Sequence, residues 1–246
     1  MFRYRSGNVP GMARQRQGRS LAEDVYEAVR ADILFGRRLP GSRIQLRDLA
    51  DEHAVSLSVV REAVTRLASE GLVDATPQRG FHVRSLSLED LRDLTWVRIQ
   101  VETLALRESI TNGDVDWEAD LVSAHHRLTA TPTHFEDGTP NVQWMAVHGA
   151  YHTALCAGAG SVTLERIRRQ LFDASELYRY WSATLPTRTV HRNVAEEHRQ
   201  ICEAALARDA DRAVELMTAH LDLTARQLEA VMDATEPNRD AIAGRR

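Results

Sequence analysis

Residues 55–83 read VSLSVVREAVTRLASEGLVDATPQRGFHV. Ser56 is a residue type that caps helix N-termini, and Val60, Ala63, Val64 and Leu67 follow at the spacing of one helical face, with Gly71 as the stop. The period then changes. Leu72-Val73, the turn Thr76-Pro77-Gln78-Arg79-Gly80 and Phe81-His82-Val83 predict a two-stranded hairpin with glycine at its tip. Working upstream, Leu21, Val25, Val29 and Ile33 recur at helical spacing until Leu39-Pro40-Gly41, Arg43-Ile44 is a short extended piece, and Leu46, Leu49 and Ala50 mark a second helix. His53-Ala54-Val55 is the turn between the second helix and the third. Three short helices and a hairpin predict a winged helix-turn-helix over residues 20–85.

On the third helix the outward positions are Leu57, Ser58 and Arg61, and Arg47 projects from the helix before it. A helix of this size fits the major groove, where arginine bonds guanine through two donors. Ser56 and Ser58 suit phosphates. Arg79 and Gly80 at the wing suit the minor groove, because glycine admits close backbone approach and arginine follows the negative potential there. Winged helices also serve as protein-interaction modules, and spacing alone does not separate the two uses.

The 246 residues carry 31 basic and 35 acidic side chains, and every basic one is arginine. The balance of −4 averages two unlike halves. Residues 1–85 hold 14 arginines against 10 acids, and residues 86–246 hold 17 against 25. Five of the arginines fall in residues 1–19, which contain no acid and three glycines and read as a flexible basic arm. A hydrophobic fraction of 43% supports a buried core, and no apolar run approaches the roughly 20 residues of a membrane-spanning helix. With no apolar signal segment either, a cytoplasmic location is expected. Cys156 and Cys202 lack CxxC spacing and read as buried small hydrophobes.

Ser87 and Asp90 resemble a capping box, placing a boundary near residue 86. Beyond it the sequence is helical in period, broken at Asn112-Gly113, Thr131-Pro132, 137–140, Gly158 with Gly160, Pro186 and Arg208-Asp209, which defines about six helices in an antiparallel bundle over 86–233. Periodicity fades after Asp233, so 234–246 read as a loose tail. In the first bundle helix Leu91, Leu94, Val101 and Ala105 form an inward stripe that also carries Arg98. A charge on an apolar face is costly unless it is paired or meets a ligand, so Arg98 either pairs with Glu102 or lines a pocket. His148 and His152 lie four apart beside Trp144, Tyr151 and Leu155, while His198 and His220 fall on the apolar stripes of two later helices. Four such imidazoles either hold a divalent metal or are core histidines bonded to neighbours. His53, His82, His125, His126, His134 and His191 lack such placement.

The run from Leu21 to Val83, with Leu39-Pro40-Gly41-Ser42, Leu49-Ala50, Val60-Arg61-Glu62-Ala63, Arg66-Leu67, Glu70-Gly71-Leu72-Val73 and Arg79-Gly80, resembles the GntR family of bacterial transcription regulators. The resemblance implies double-stranded operator DNA as partner, with Arg47 and Arg61 as direct contacts. Three positions depart from the family pattern: Ala54 stands for Gly, Leu57 for Arg and Val59 for a frequent Pro. His148-Gly-Ala-Tyr151-His152, Glu197-His198-Arg-Gln-Ile201 and His220-Leu221 resemble the FCD effector domain of the FadR branch. That resemblance implies a homodimer, a small organic acid effector and a metal set of one Asp and three His. Here His148 stands where the Asp is expected. Imidazole in place of carboxylate raises the charge of a loaded divalent site from near +1 to near +2 and shifts preference towards zinc or nickel. Either the site persists as a four-histidine centre attractive to anions, or His148 bonds the effector and metal is weak or absent. Retention is the expectation, with Arg98 as the effector's counter-charge.

Catalysis is not expected. A zinc peptidase of the HExxH type needs Glu where Gly149 stands, a di-iron bundle needs Glu-x-x-His pairs, and no Gly-rich phosphate loop or Gly-x-Ser-x-Gly elbow occurs. The expected function is a metabolite-responsive repressor released from DNA by a small carboxylate, with sensing of the metal itself as the alternative.

Overall fold

A computed structural model describes residues 20–34, 36–136, 141–183 and 192–243. The arm at 1–19, the breaks at 137–140 and Pro186, His191 and residues 244–246 lie outside them. The chain opens with α1 (Leu21–Leu34), β1 (Arg43–Ile44), α2 (Leu46–Glu52), α3 (Leu57–Ser69), β2 (Val73–Thr76) and β3 (Gly80–Val83). The strands form an antiparallel sheet in the order β1-β3-β2, with Ile44 opposite Phe81 and Val73 opposite Val83. This is the winged helix-turn-helix expected from the sequence. Ser56 caps α3 by accepting from the Val59 N–H, and Val60, Ala63, Val64 and Leu67 are buried against α1. The turn between α2 and α3 holds Ala54 at φ 52°, a left-handed conformation that explains why glycine is the family's usual residue there.

The bundle comprises α4 (Leu88–Asn112), α5 (Val115–Ala130), α6 (Val142–Cys156), α7 (Val162–Ala183), α8 (Val194–Leu206) and α9 (Ala210–Ala243), with a 3₁₀ turn at Ala157–Ala159. Ser87 Oγ accepts from the Asp90 N–H at 3.0 Å, so the expected capping box opens α4 from its first half. Gly158 lets the turn after α6 press on the end of α4: a Cβ there would lie 2.9 Å from the Ser109 carbonyl oxygen. Cys156 and Cys202 are free and buried.

Two expectations need correction. Val101 is only half-buried, whereas Glu102 is fully buried, because α4 packs on α6, α7 and α9 together and its inner face is wider than one stripe. And 234–243, expected as part of a loose tail, continue α9 to Ala243. Extending an existing helix needs no new nucleus, so even a stretch containing Pro237 propagates from the packed residues before it.

The two halves share a core. Leu91, Leu177, Tyr178, Leu228 and Met232 of the bundle join the apolar cluster of α1, α3 and the sheet. Arg30 of α1 forms a mostly buried ion pair with Asp173 of α7, and the Tyr178 hydroxyl donates to the Ser87 carbonyl at 3.3 Å.

Candidate functional site

The inward stripes of α6, α8 and α9 bring His148, His152, His198 and His220 together. All four are buried, and one ring nitrogen from each lies within 4.8 Å of the others. Zinc–nitrogen bonds of 2.0–2.1 Å place tetrahedral ligands roughly 3.3 Å apart, so small ring rotations close such a set on one ion. His152 Nε2 is 3.1 Å from His148 Nε2. His220 directs Nδ1 to the Glu197 carboxylate at 2.8 Å, which leaves its Nε2 lone pair for the centre, as a second-shell carboxylate does for a ligating histidine. Arg192 binds both oxygens of Glu197 and donates to the His220 carbonyl at 2.8 Å.

Burial pushes His198 down to about 2 and His220 to about 4, and holds His148 and His152 well below the usual imidazole range, with Arg179 and neighbouring imidazoles among the groups acting in the same direction. Burial opposes the Glu197 carboxylate, yet bonds from His220 and Arg192 hold it at about 2. The four rings are therefore neutral at pH 7, the state a metal ligand requires. Two of their buried nitrogens, His152 Nδ1 and His198 Nε2, have no hydrogen-bond partner. Orphaned nitrogens on neutral, converging rings fit a divalent ion, and a pure nitrogen donor set suits zinc or nickel.

Arginines surround this centre. Arg98 donates from Nε to Glu102 at 3.2 Å and from Nη1 to Ser175 at 2.6 Å, and its guanidinium lies 4.9 Å from the Phe172 ring centroid. The charge on the apolar face is thus a paired one, and it still lies close enough to His152 to lower its pKa. Arg179 Nη1 reaches His148 Nδ1 at 3.1 Å and bonds Glu176 at 2.9 Å. Arg179, Arg192, Glu197 and Phe172 were not singled out as site residues from the sequence. A signal existed for α7: Arg168, Phe172, Ser175 and Arg179 recur every three or four residues, which puts polar groups on a packed helical face.

In the winged helix, Leu57, Ser58 and Arg61 are exposed on α3, as are Arg47 on α2 and Arg79 and Gly80 at the hairpin. Arg47, Arg61 and Arg79 make no hydrogen bond or ion pair with a described residue. Arg66, one turn further along α3, is instead bound to Glu23 at 2.6 Å and stacked on Tyr26, so it is structural. Ser56 and Ser58 share a hydrogen bond of 2.8 Å at the α3 N-terminus.

Comparison with known proteins agrees with both halves. Residues 21–83 match the gntR family of bacterial regulatory proteins, and residues 93–223 match the FCD domain. The chain is 40% identical to the HTH-type transcriptional regulator BphR of Paraburkholderia xenovorans (strain LB400), over 83% of either chain. It is 32% identical to the HTH-type transcriptional repressor GlaR of Escherichia coli (strain K12), over 80% of this chain and 91% of that one. Among solved structures, E. coli McbR/YncC superposes with a TM-score of 0.74 at 19% identity, covering 87% of this chain and 99% of the other, a likeness of fold.

Proposed function

Because the chain belongs to the GntR family of bacterial regulatory proteins, with an FCD domain after its winged helix, it is a transcriptional regulator and not an enzyme, and we propose that it is a repressor released from its operator by a small carboxylate. Residues 20–85 act as the DNA-binding domain and 86–233 as the effector and dimerisation domain. Arg47 and Arg61 read bases in the major groove, Ser56 and Ser58 hold phosphates, and Arg79 with Gly80 lies along the minor groove. A homodimer formed through the bundle sets two recognition helices on the half-sites of a palindrome.

The observation that carries the effector reading is the four-histidine cluster with Arg98 and Arg179 at its wall. His148, His152, His198 and His220 would hold a divalent ion, zinc or nickel by donor type, and a bound ion would supply a positive centre for a carboxylate oxygen. Arg98 offers Nη2, which no described side chain bonds, and Arg179 offers a second guanidinium. Release of DNA then requires that the effector bind more tightly to a domain arrangement that no longer spans the half-sites.

Metal analysis of protein purified without chelators, beside a His152→Ala variant, tests the centre. Stoichiometric zinc or nickel in the wild type and its loss in the variant are expected, and metal-free wild-type protein defeats the four-histidine site. A thermal-shift screen of organic and amino acids then identifies the effector class. The all-nitrogen donor set, with no carboxylate ligand, favours one second reading, in which the ion is itself the signal. Release of DNA by added metal alone, with no organic acid, separates the two.

A further inference from the structure

Between α1 and the packed pair α6 and α7 lies a cleft of about 300 Å³ that the histidine centre does not use. That size and a position between two domains are typical of small-molecule sites. Leu34 of α1, Met145 and Ala146 of α6 and Phe172 of α7 supply its apolar wall. Phe172 also divides it from the histidines: the ring centroids of His148 and His152 lie 6.1 and 5.8 Å from that of Phe172.

The polar groups of the cleft are unevenly committed. Glu165 accepts from Arg168 with both oxygens, at 2.7 and 2.8 Å. Asp173 is paired with Arg30, and Glu176 accepts from Arg179. The cations are not all used. Arg169, at the exposed edge, has no hydrogen bond or ion pair with a described residue. Arg30 Nε and Arg168 Nη1 are buried without hydrogen-bond partners, the latter with only a 3.5 Å ion contact to Glu102. Both of those atoms are closed to solvent, so the spare charge open to an occupant is that of Arg169.

We infer that this cleft is a second small-molecule site, taking an organic anion with a compact apolar body. The body lies against Leu34, Met145 and Phe172, and the anionic group meets Arg169. An occupant touches α1 of the winged helix and two helices of the bundle, so its binding biases how the two are arranged. The site is independent of any metal at the histidines.

Isothermal titration calorimetry of the full chain with benzoate, hexanoate and 3-phenylpropionate tests it, with benzylamine as the cation of matched shape. At least one carboxylate is expected to saturate both the wild type and His152→Ala. Ala146→Trp, at an exposed position of α6, should abolish that binding, and Arg169→Glu should weaken it about tenfold while both variants keep wild-type circular dichroism. Should Ala146→Trp misfold, Arg169→Glu decides. The proposal fails if no carboxylate saturates, if benzylamine binds as well, or if folded Ala146→Trp or Arg169→Glu binds like wild type. It also fails if binding vanishes in His152→Ala, since the heat would then belong to the histidine centre.

Discussion

Glu102 Oε1 lies 3.2 Å from Arg98 Nε, one turn earlier on α4, and both side chains are buried. The other Glu102 oxygen faces Arg168 Nη1 at 3.5 Å. Glu102 is thus the ion-pair partner of Arg98 and a second, longer contact of Arg168, which Glu165 already binds with both oxygens. Glu102→Gln leaves Arg98 short of charge, whereas Arg168 keeps Glu165, and breaking a buried pair from one side costs about 3–5 kcal/mol. Urea unfolding monitored by circular dichroism measures it. A loss below about 1 kcal/mol would show that Arg98 finds another partner.

Arg98→Ala has a different signature. Glu102 keeps Arg168 as a counter-ion, so the fold is expected to persist, while one of the guanidinium groups beside the histidine centre is lost. Effector concentrations needed to release DNA in a gel-shift titration should rise by about tenfold or more, with affinity for the operator largely unchanged. Equal loss of both would remove Arg98 from the effector's binding site.

Ala54 occupies a left-handed turn between α2 and α3 at φ 52°. A Cβ in that region costs about 1–2 kcal/mol, partly offset by the greater freedom glycine has in the unfolded chain. Ala54→Gly is expected to stabilise the protein by about 1 kcal/mol, read as a higher urea midpoint at constant slope. A neutral or negative effect would mean that the α2–α3 turn relaxes around the methyl group.

Arg30 and Asp173 join the winged helix to α7, the helix that also carries Phe172, Ser175 and Arg179 at the histidine centre. A double-mutant cycle with Arg30→Gln and Asp173→Asn is expected to give a coupling of about 1–3 kcal/mol. The same variants should need less effector to release DNA, because the contact they remove holds one domain arrangement. Additive stabilities and an unchanged release curve would make the pair a passive contact.

How much of this was legible beforehand follows from the range of the forces involved. The winged helix could be read because each of its elements carries its own signal: Ser56 at an N-cap, Gly71 at a stop, glycine at the wing, and apolar residues at the period of each element. The inward direction of His148, His152, His198 and His220 was legible for the same reason, since each shares a stripe with buried apolar neighbours. Arg98 was legible as an anomaly, though its partner was not decided. The helical extension to Ala243 and the partial exposure of Val101 ran against the sequence reading, because both depend on what packs around the helix rather than on the helix's own sequence.

By itself the sequence determined the local elements, their order and the faces that turn inward, because helix and strand periods and capping chemistry act over a few residues. Tertiary structure alone decided which charges meet. The Arg98–Glu102–Arg168 group, the Glu197–His220 bond with Arg192 behind it, the approach of Arg179 to His148 and the Arg30–Asp173 link all join side chains whose pairing depends on helix rotation and crossing. A buried charge takes its energy from neighbours within a few ångströms, and most of those neighbours are remote in the chain. At the centre of the acidic bundle, carboxylates are bound to arginines, and the neutral imidazoles left between them form the candidate site.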